Sequence, residues 1–164
     1  MNKRGFTLVE LLVGMFVALL ALSSVMSSYV MLKTFWREGN IQIDVQGDAR
    51  LAMSKIMRSV RQGIEANVSN NGNTLRIRLD PDRTEIAGDD IWCQYDFADS
   101  SISFDSGQGA GSVPLLNNVY KQGAADVFSA NGRNISVVFR ASDPASFFYY
   151  RGTFLQSSAT LRNE

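Results

Sequence analysis

The chain has 164 residues, enough for one modest domain and an anchor, and its 16 basic and 16 acidic side chains cancel to no formal net charge. It contains no histidine and one cysteine, Cys93. These counts exclude histidine-based general-base and nucleophile systems, the commonest transition-metal ligand, an intrachain disulfide and a thiolate metal cluster. A balanced charge gives no general reason to expect nucleic acid as a partner.

The amino-terminal segment runs Lys3-Arg4-Gly5-Phe6-Thr7-Leu8-Val9-Glu10 and opens a long apolar stretch. Between Phe6 and Leu32 the only charged side chain is Glu10. A carboxylate facing hydrocarbon is costly, so its presence implies a partner. Glu10 lies four residues beyond Phe6, one helical turn away on the same face. Two plainer readings stand beside this one: an interfacial carboxylate that snorkels to the headgroups, and an unprocessed helix start at Gly5-Phe6. As a helix, Phe6 to Leu32 spans roughly 40 Å, more than a hydrocarbon core of about 30 Å. Lys3 and Arg4 before the apolar run predict a cytoplasmic leader, a single membrane pass and a globular part outside the inner membrane. Gly14, Ala18, Ala21 and Ser28 form a stripe of small residues, with Ser23 and Ser27, and Ser24 and Ser28, four apart. Such residues let helices approach closely, or are ordinary tolerated residues of a span.

Residues 3–10 resemble the prepilin signal of type IV pilins and type II secretion pseudopilins. The match has a basic leader, Gly5, Phe6, a Thr-Leu-Val bridge, Glu10 and unbroken apolar residues, and it covers the first fifth of the chain. The resemblance implies cleavage between Gly5 and Phe6 by a prepilin peptidase, N-methylation of Phe6, and use of Glu10 in filament assembly. Lys3 and Arg4 are then leader charges. Their removal leaves 14 basic against 16 acidic side chains, a mature charge of −2. A secretory signal would instead be cut after its apolar region and discarded.

After Leu32 the helical pattern continues. Val45, Ala49, Ala52, Ile56 and Val60 recur at helical spacing, widened by Met53 and Met57. Arg50, Lys55, Arg58 and Arg61 occupy other faces, and Gln62-Gly63 closes the helix. The pattern predicts one helix from about Phe6 to Arg61, loosened at Gly39. Asn67 to Asn73 reads as a turn or exposed loop. Leu75, Ile77 and Leu79 then alternate with polar residues as a half-buried strand ended by Asp80-Pro81-Asp82. Further strands are expected over Ile91–Phe97, Ser101–Phe104, Ile135–Arg140 and Phe147–Leu155, the last interrupted at Gly152. Ser106–Ser112 reads as a glycine-rich loop, and Leu115–Tyr120 is an apolar element of unassigned type.

The expected architecture is α+β and pilin-like, a long amino-terminal helix on an antiparallel sheet. Its divisions are a leader at 1–5, a membrane and filament-core helix at 6–32, an amphipathic continuation at 33–62 and a β-rich head at 63–164. The segment Ala49–Gln62 and the ending Ser157–Asn163 resemble PilW-type minor pilins and J-type type II secretion pseudopilins. The chain departs from many major pilins, which carry a disulfide-closed loop and a proline in the region corresponding to Ser23–Ser28.

Other clusters take plainer readings. Asp80, Asp82, Asp89, Asp90, Asp96, Asp99 and Asp105 lack EF-hand spacing, so they read as solvated turn residues rather than calcium ligands. Nothing pairs two carboxylates in a cleft for acid and base work, and no catalytic residue is expected. Arg76 and Arg78 share a solvated strand face. Phe147-Phe148-Tyr149-Tyr150 puts aromatics on both faces of its strand, suiting a buried strand or a partner surface. Cys93, within Ile91-Trp92-Cys93, suits a core strand.

The function expected is a minor pilin or pseudopilin that primes or caps a type IV pilus or secretion pseudopilus. A major pilin and a single-pass envelope protein with a periplasmic binding domain are the alternatives. The resemblance implies as partners other pilins through the amino-terminal helix, a prepilin peptidase and an inner-membrane assembly platform. No cofactor, metal or nucleic acid is expected. The subunit is expected in the inner membrane before assembly, with its head outside the cytoplasm, and in the filament afterwards.

Overall fold

The computed structural model describes residues 7–80, 90–109, 111–143 and 152–162. One helix, α1, runs from Leu8 to Gln62. It passes through Gly39 and Gly47 without a break in its helical assignment. Helical hydrogen bonding is cooperative, and a single glycine costs only about 1 kcal/mol against alanine. The chain divides into two compact units, 1–40 and 41–164, which are described separately.

In the first unit α1 is coated with apolar side chains that are exposed among the described residues. Every large hydrophobic residue from Leu8 to Leu32 is exposed, by 54% at the least. In the second unit α1 turns one stripe inward. Ala49, Ala52, Met53, Ile56, Met57 and Val60 are buried, and Val45 packs at their edge, as the helical spacing predicts.

Among the described residues nine strands follow. The first sheet is antiparallel with sequential order: β1 (Gly63–Ser69), β2 (Thr74–Leu79), β3 (Ile91–Ala98), β4 (Ser101–Asp105) and β5 (Val113–Asn117). The second contains β6 (Val119–Tyr120), β7 (Phe128–Asn131), β8 (Asn134–Ala141) and β9 (Thr153–Thr160). In it β6 and β7 pair with successive stretches of β8, and β9 pairs along all of it. Leu75, Ile77, Cys93, Tyr95 and Ile102 from the first sheet join Phe128, Ile135, Val137 and Phe139 from the second, and the helix stripe, in one core. The α+β architecture with a long apolar helix packed on antiparallel sheet is the one expected.

Several elements differ from the sequence reading. Asn67 to Ser69 belong to β1, and the turn contracts to Asn70–Asn73, where Asn70, Asn71 and Gly72 take left-handed φ of 53°, 50° and 71°. Strand β1 is concealed in sequence by Glu65, Asn67 and Ser69, yet Ala66 and Val68 face inward opposite Ile77 and Leu75. Gly63 does not cap the helix in the left-handed region. It is a buried strand residue, and a Cβ there would come within 2.4 Å of Ile77 Cγ2. The apolar stretch Leu115–Tyr120 divides into β5 and β6 at Asn118, whose φ is 57°. Strand β7 was not foreseen; it forms a hairpin with β8 across Gly132 and Arg133. Residues 147–151 of the expected last strand lie outside the described residues, and β9 runs five residues beyond Leu155 because it follows β8 to its end. The strands Ile91–Phe97, Ser101–Phe104 and Ile135–Arg140 are observed, each slightly extended.

Candidate functional site

The site begins where α1 begins. Thr7 stands immediately before the helix, and its carbonyl accepts the first helical bond from Leu11 N, 3.2 Å away. The backbone N–H of Thr7 donates to Glu10 Oε2 at 2.9 Å, and the Thr7 hydroxyl donates to the same oxygen at 3.0 Å. In return Glu10 N lies 3.3 Å from Thr7 Oγ1. This is a capping box: each residue satisfies an amide that the first helical turn leaves without an intrahelical partner. The carboxylate also sits in the first turn, at the positive end of the helix dipole.

Glu10 therefore has a partner inside its own chain, one that the reading of an isolated charge in an apolar run did not identify. The signal was present as Thr7-x-x-Glu10, the spacing of a capping box. Lys3, Arg4, Gly5 and Phe6 lie outside the described residues.

From Leu11 to Leu32 the helix carries no charged side chain, and four hydroxyls along it and just beyond are turned back on the backbone. Ser23 donates to Leu20 O and Ser24 to Ala21 O, both at 2.8 Å; Ser28 donates to Ser24 O at 2.9 Å and Thr34 to Val30 O at 3.0 Å. Hydroxyls satisfied in this way enter hydrocarbon without an orphaned donor while keeping the helix surface low. The helix is long and apolar enough to cross a membrane.

A family model described as the prokaryotic N-terminal methylation motif matches residues 1–26. The chain carries the signal of the type IV prepilin family. A prepilin with this signal is processed by a prepilin peptidase and assembles with other pilins, and its apolar helix suits the membrane anchor such a subunit needs. No curated protein matches the chain.

The other residues singled out in sequence and described in the structure belong to the second unit. Cys93 is buried, 2% exposed, and burial pushes its thiol pKa up, with the Ser59 hydroxyl acting in the opposite direction. Two residues on, burial pushes the Tyr95 hydroxyl up to about 12, again opposed by Ser59, which lies 2.8 Å away. Arg76 stacks on the Trp92 ring at 4.5 Å, and Arg78 lies 3.5 Å from both Glu65 and Asp90. Their strand face is thus built of local pairs.

The aspartates are dispersed. Asp80 pairs with Arg162 at 3.4 Å, Asp96 accepts from Thr74 and Gln94, and Asp105 accepts from Gly107 N. Asp99 turns the β3–β4 hairpin at a φ of 48°, and Asp82 and Asp89 lie outside the described residues. Among the described residues no three acidic or cysteine side chains are placed to hold a metal ion. The aromatic segment Phe147–Tyr150 also lies outside them.

Proposed function

We propose that this prepilin matures into a minor pilin or pseudopilin that primes or caps a filament. The observation carrying the reading is Glu10, the single charge of an apolar helix whose whole circumference is exposed from Leu8 to Leu32. Such a helix needs lipid first and neighbouring helices afterwards, and a structural subunit of a helical filament meets both needs. In this reading the leader with Lys3 and Arg4 is cut after Gly5, where a side chain would crowd the peptidase, and the new amino group of Phe6 is methylated. The ammonium of a neighbour's Phe6 then approaches Glu10. The bonds from Thr7 both end on Oε2, so that ammonium can approach Oε1 without breaking the cap. A charge in hydrocarbon without its partner is strongly unfavourable, so the pairing biases insertion toward the correct stagger.

Two features support a minor rather than a major subunit. One cysteine cannot close the disulfide loop of many major pilins, and α1 runs unbroken through Ser23–Ser28, where many of them carry proline. The test has two parts. Mass spectrometry of the mature amino-terminus should find methylated Phe6, whereas an uncut chain would overturn the assignment. Subunit counting in purified filaments should find few copies, whereas a dominant fraction would make this the major pilin.

A further inference from the structure

Two clefts flank the buried stripe of α1 in the head, and they carry opposite charge. One, of about 320 Å³, is walled by Asp44 and Asp48 of α1 and by the segments bearing Leu115 and Asp143. The other, of about 250 Å³, is walled by Arg50 and Arg61 of α1 over Met53, Met57 and Leu155. At 100° per residue, Asp44 and Asp48 fall on one side of the line through Ala52 and Ile56, and Arg50 and Arg61 on the other. All four charged side chains are exposed. Among the described residues none of the four takes part in an ion pair, although Arg78 and Arg162 of the same head do.

We propose that the acidic cleft of one subunit receives the arginine flank of a second copy of this chain. The chain itself supplies the complement. Asp44 and Asp48 are four residues apart, about 6 Å between Cβ atoms, a spacing that one planar guanidinium can bridge. Val45, Leu115 and Leu116 in the lining of the acidic cleft suit the methylene stem of an arginine. Repeated from copy to copy, cleft to opposite flank, this contact is heterologous, the kind of interface that propagates into an open helical array. The inference rests on the filament-subunit reading alone, since two adjacent copies suffice, in a priming complex as in a fibre.

The test uses the full chain in two differently tagged forms, expressed with its assembly machinery and cross-linked before extraction. D44K/D48K and R50E/R61E change only exposed helix positions, leaving the core intact. Each alone should reduce cross-linked pairs of copies at least tenfold. Co-expressing one with the other, or combining all four changes in one chain, should restore them, because opposite signs meet again. Undiminished cross-linking in either variant would overturn the proposal. So would loss without recovery in the mixture, which would identify the occupant as a different subunit. If a reversed chain fails to accumulate, D44N/D48N replaces it, and unchanged cross-linking there is equally fatal. The methylated amino-terminus of each variant is read in parallel, so a failure of the prepilin assignment is seen separately.

Discussion

Thr7 and Glu10 form a reciprocal pair at the amino end of α1, with Oε2 of the carboxylate 2.9 Å from the Thr7 amide and 3.0 Å from its hydroxyl. The pair anchors the one charge of the apolar segment Phe6–Leu32 to the helix's own first turn. The carboxylate is thereby oriented before any neighbour arrives. This converts a question about charge in lipid into one about geometry.

If orientation matters as well as charge, the two residues separate by experiment. E10V should leave leader cleavage intact and nearly abolish recovery in sheared filaments. T7V should reduce recovery several-fold, and T7S, which keeps the hydroxyl, should restore it. Equal recovery of T7V and the natural chain would show that the cap is dispensable.

The helix stripe contributes to the core in proportion to its burial. Ile56 is fully buried, so I56A should destabilise the detergent-solubilised subunit by about 2–5 kcal/mol. Leu51, on the same helix but 71% exposed, should change stability by less than about 0.5 kcal/mol when truncated to alanine. Denaturant midpoints for the two variants decide the matter, and similar losses would contradict the assigned facing of the helix.

Gly63 is required for space. A methyl group there would press on Cγ2 of Ile77, which is fully buried and cannot withdraw freely. G63A should therefore cost about 1–3 kcal/mol. In an I77A background, which lacks Cγ2, the added cost should shrink, giving a coupling of at least about 0.5 kcal/mol in a double-mutant cycle. Additive costs would place the strain elsewhere.

Alkaline pH probes the polar contact beneath the helix. Tyr95 titrates near 12 when folded and near 10 when unfolded, because burial disfavours its phenolate. The unfolded chain thus loses the proton first as pH rises. Stability from this residue is complete below pH 10 and is lost between 10 and about 12, by at most about 2–3 kcal/mol. Y95F should be slightly less stable at pH 8, having lost the bond to Ser59, and should show a shallower alkaline decline. Parallel declines would exclude Tyr95 as the source. Burial of the Cys93 thiol acts with the same sign, so the comparison is best made with Cys93 retained in both proteins.

Much of this molecule was legible before any fold was known. Periodicity predicted the stripe from Val45 to Val60 and the alternation of Leu75 and Ile77, because one face of each element must leave water and the spacing of that face is a local property. The amino-terminal signal was readable for a similar reason: charge, glycine, aromatic and carboxylate follow one another directly in the chain. Strands β1 and β7 were not readable in this way. They are short or rich in polar residues, and they exist because β2 and β8 offer them backbone partners.

By itself, then, the order of residues determined the apolar helix, its lone acid and the family signal, all of which depend on neighbours within a turn or two. Only the tertiary structure decided that Gly63 is a packing residue, that Tyr95 meets Ser59 across 36 positions of chain, and that Asp44 and Asp48 share a cleft with Leu115 and Asp143. Those facts depend on which distant segments come together, and a hydrophobic pattern specifies that a face will be buried without specifying what will cover it.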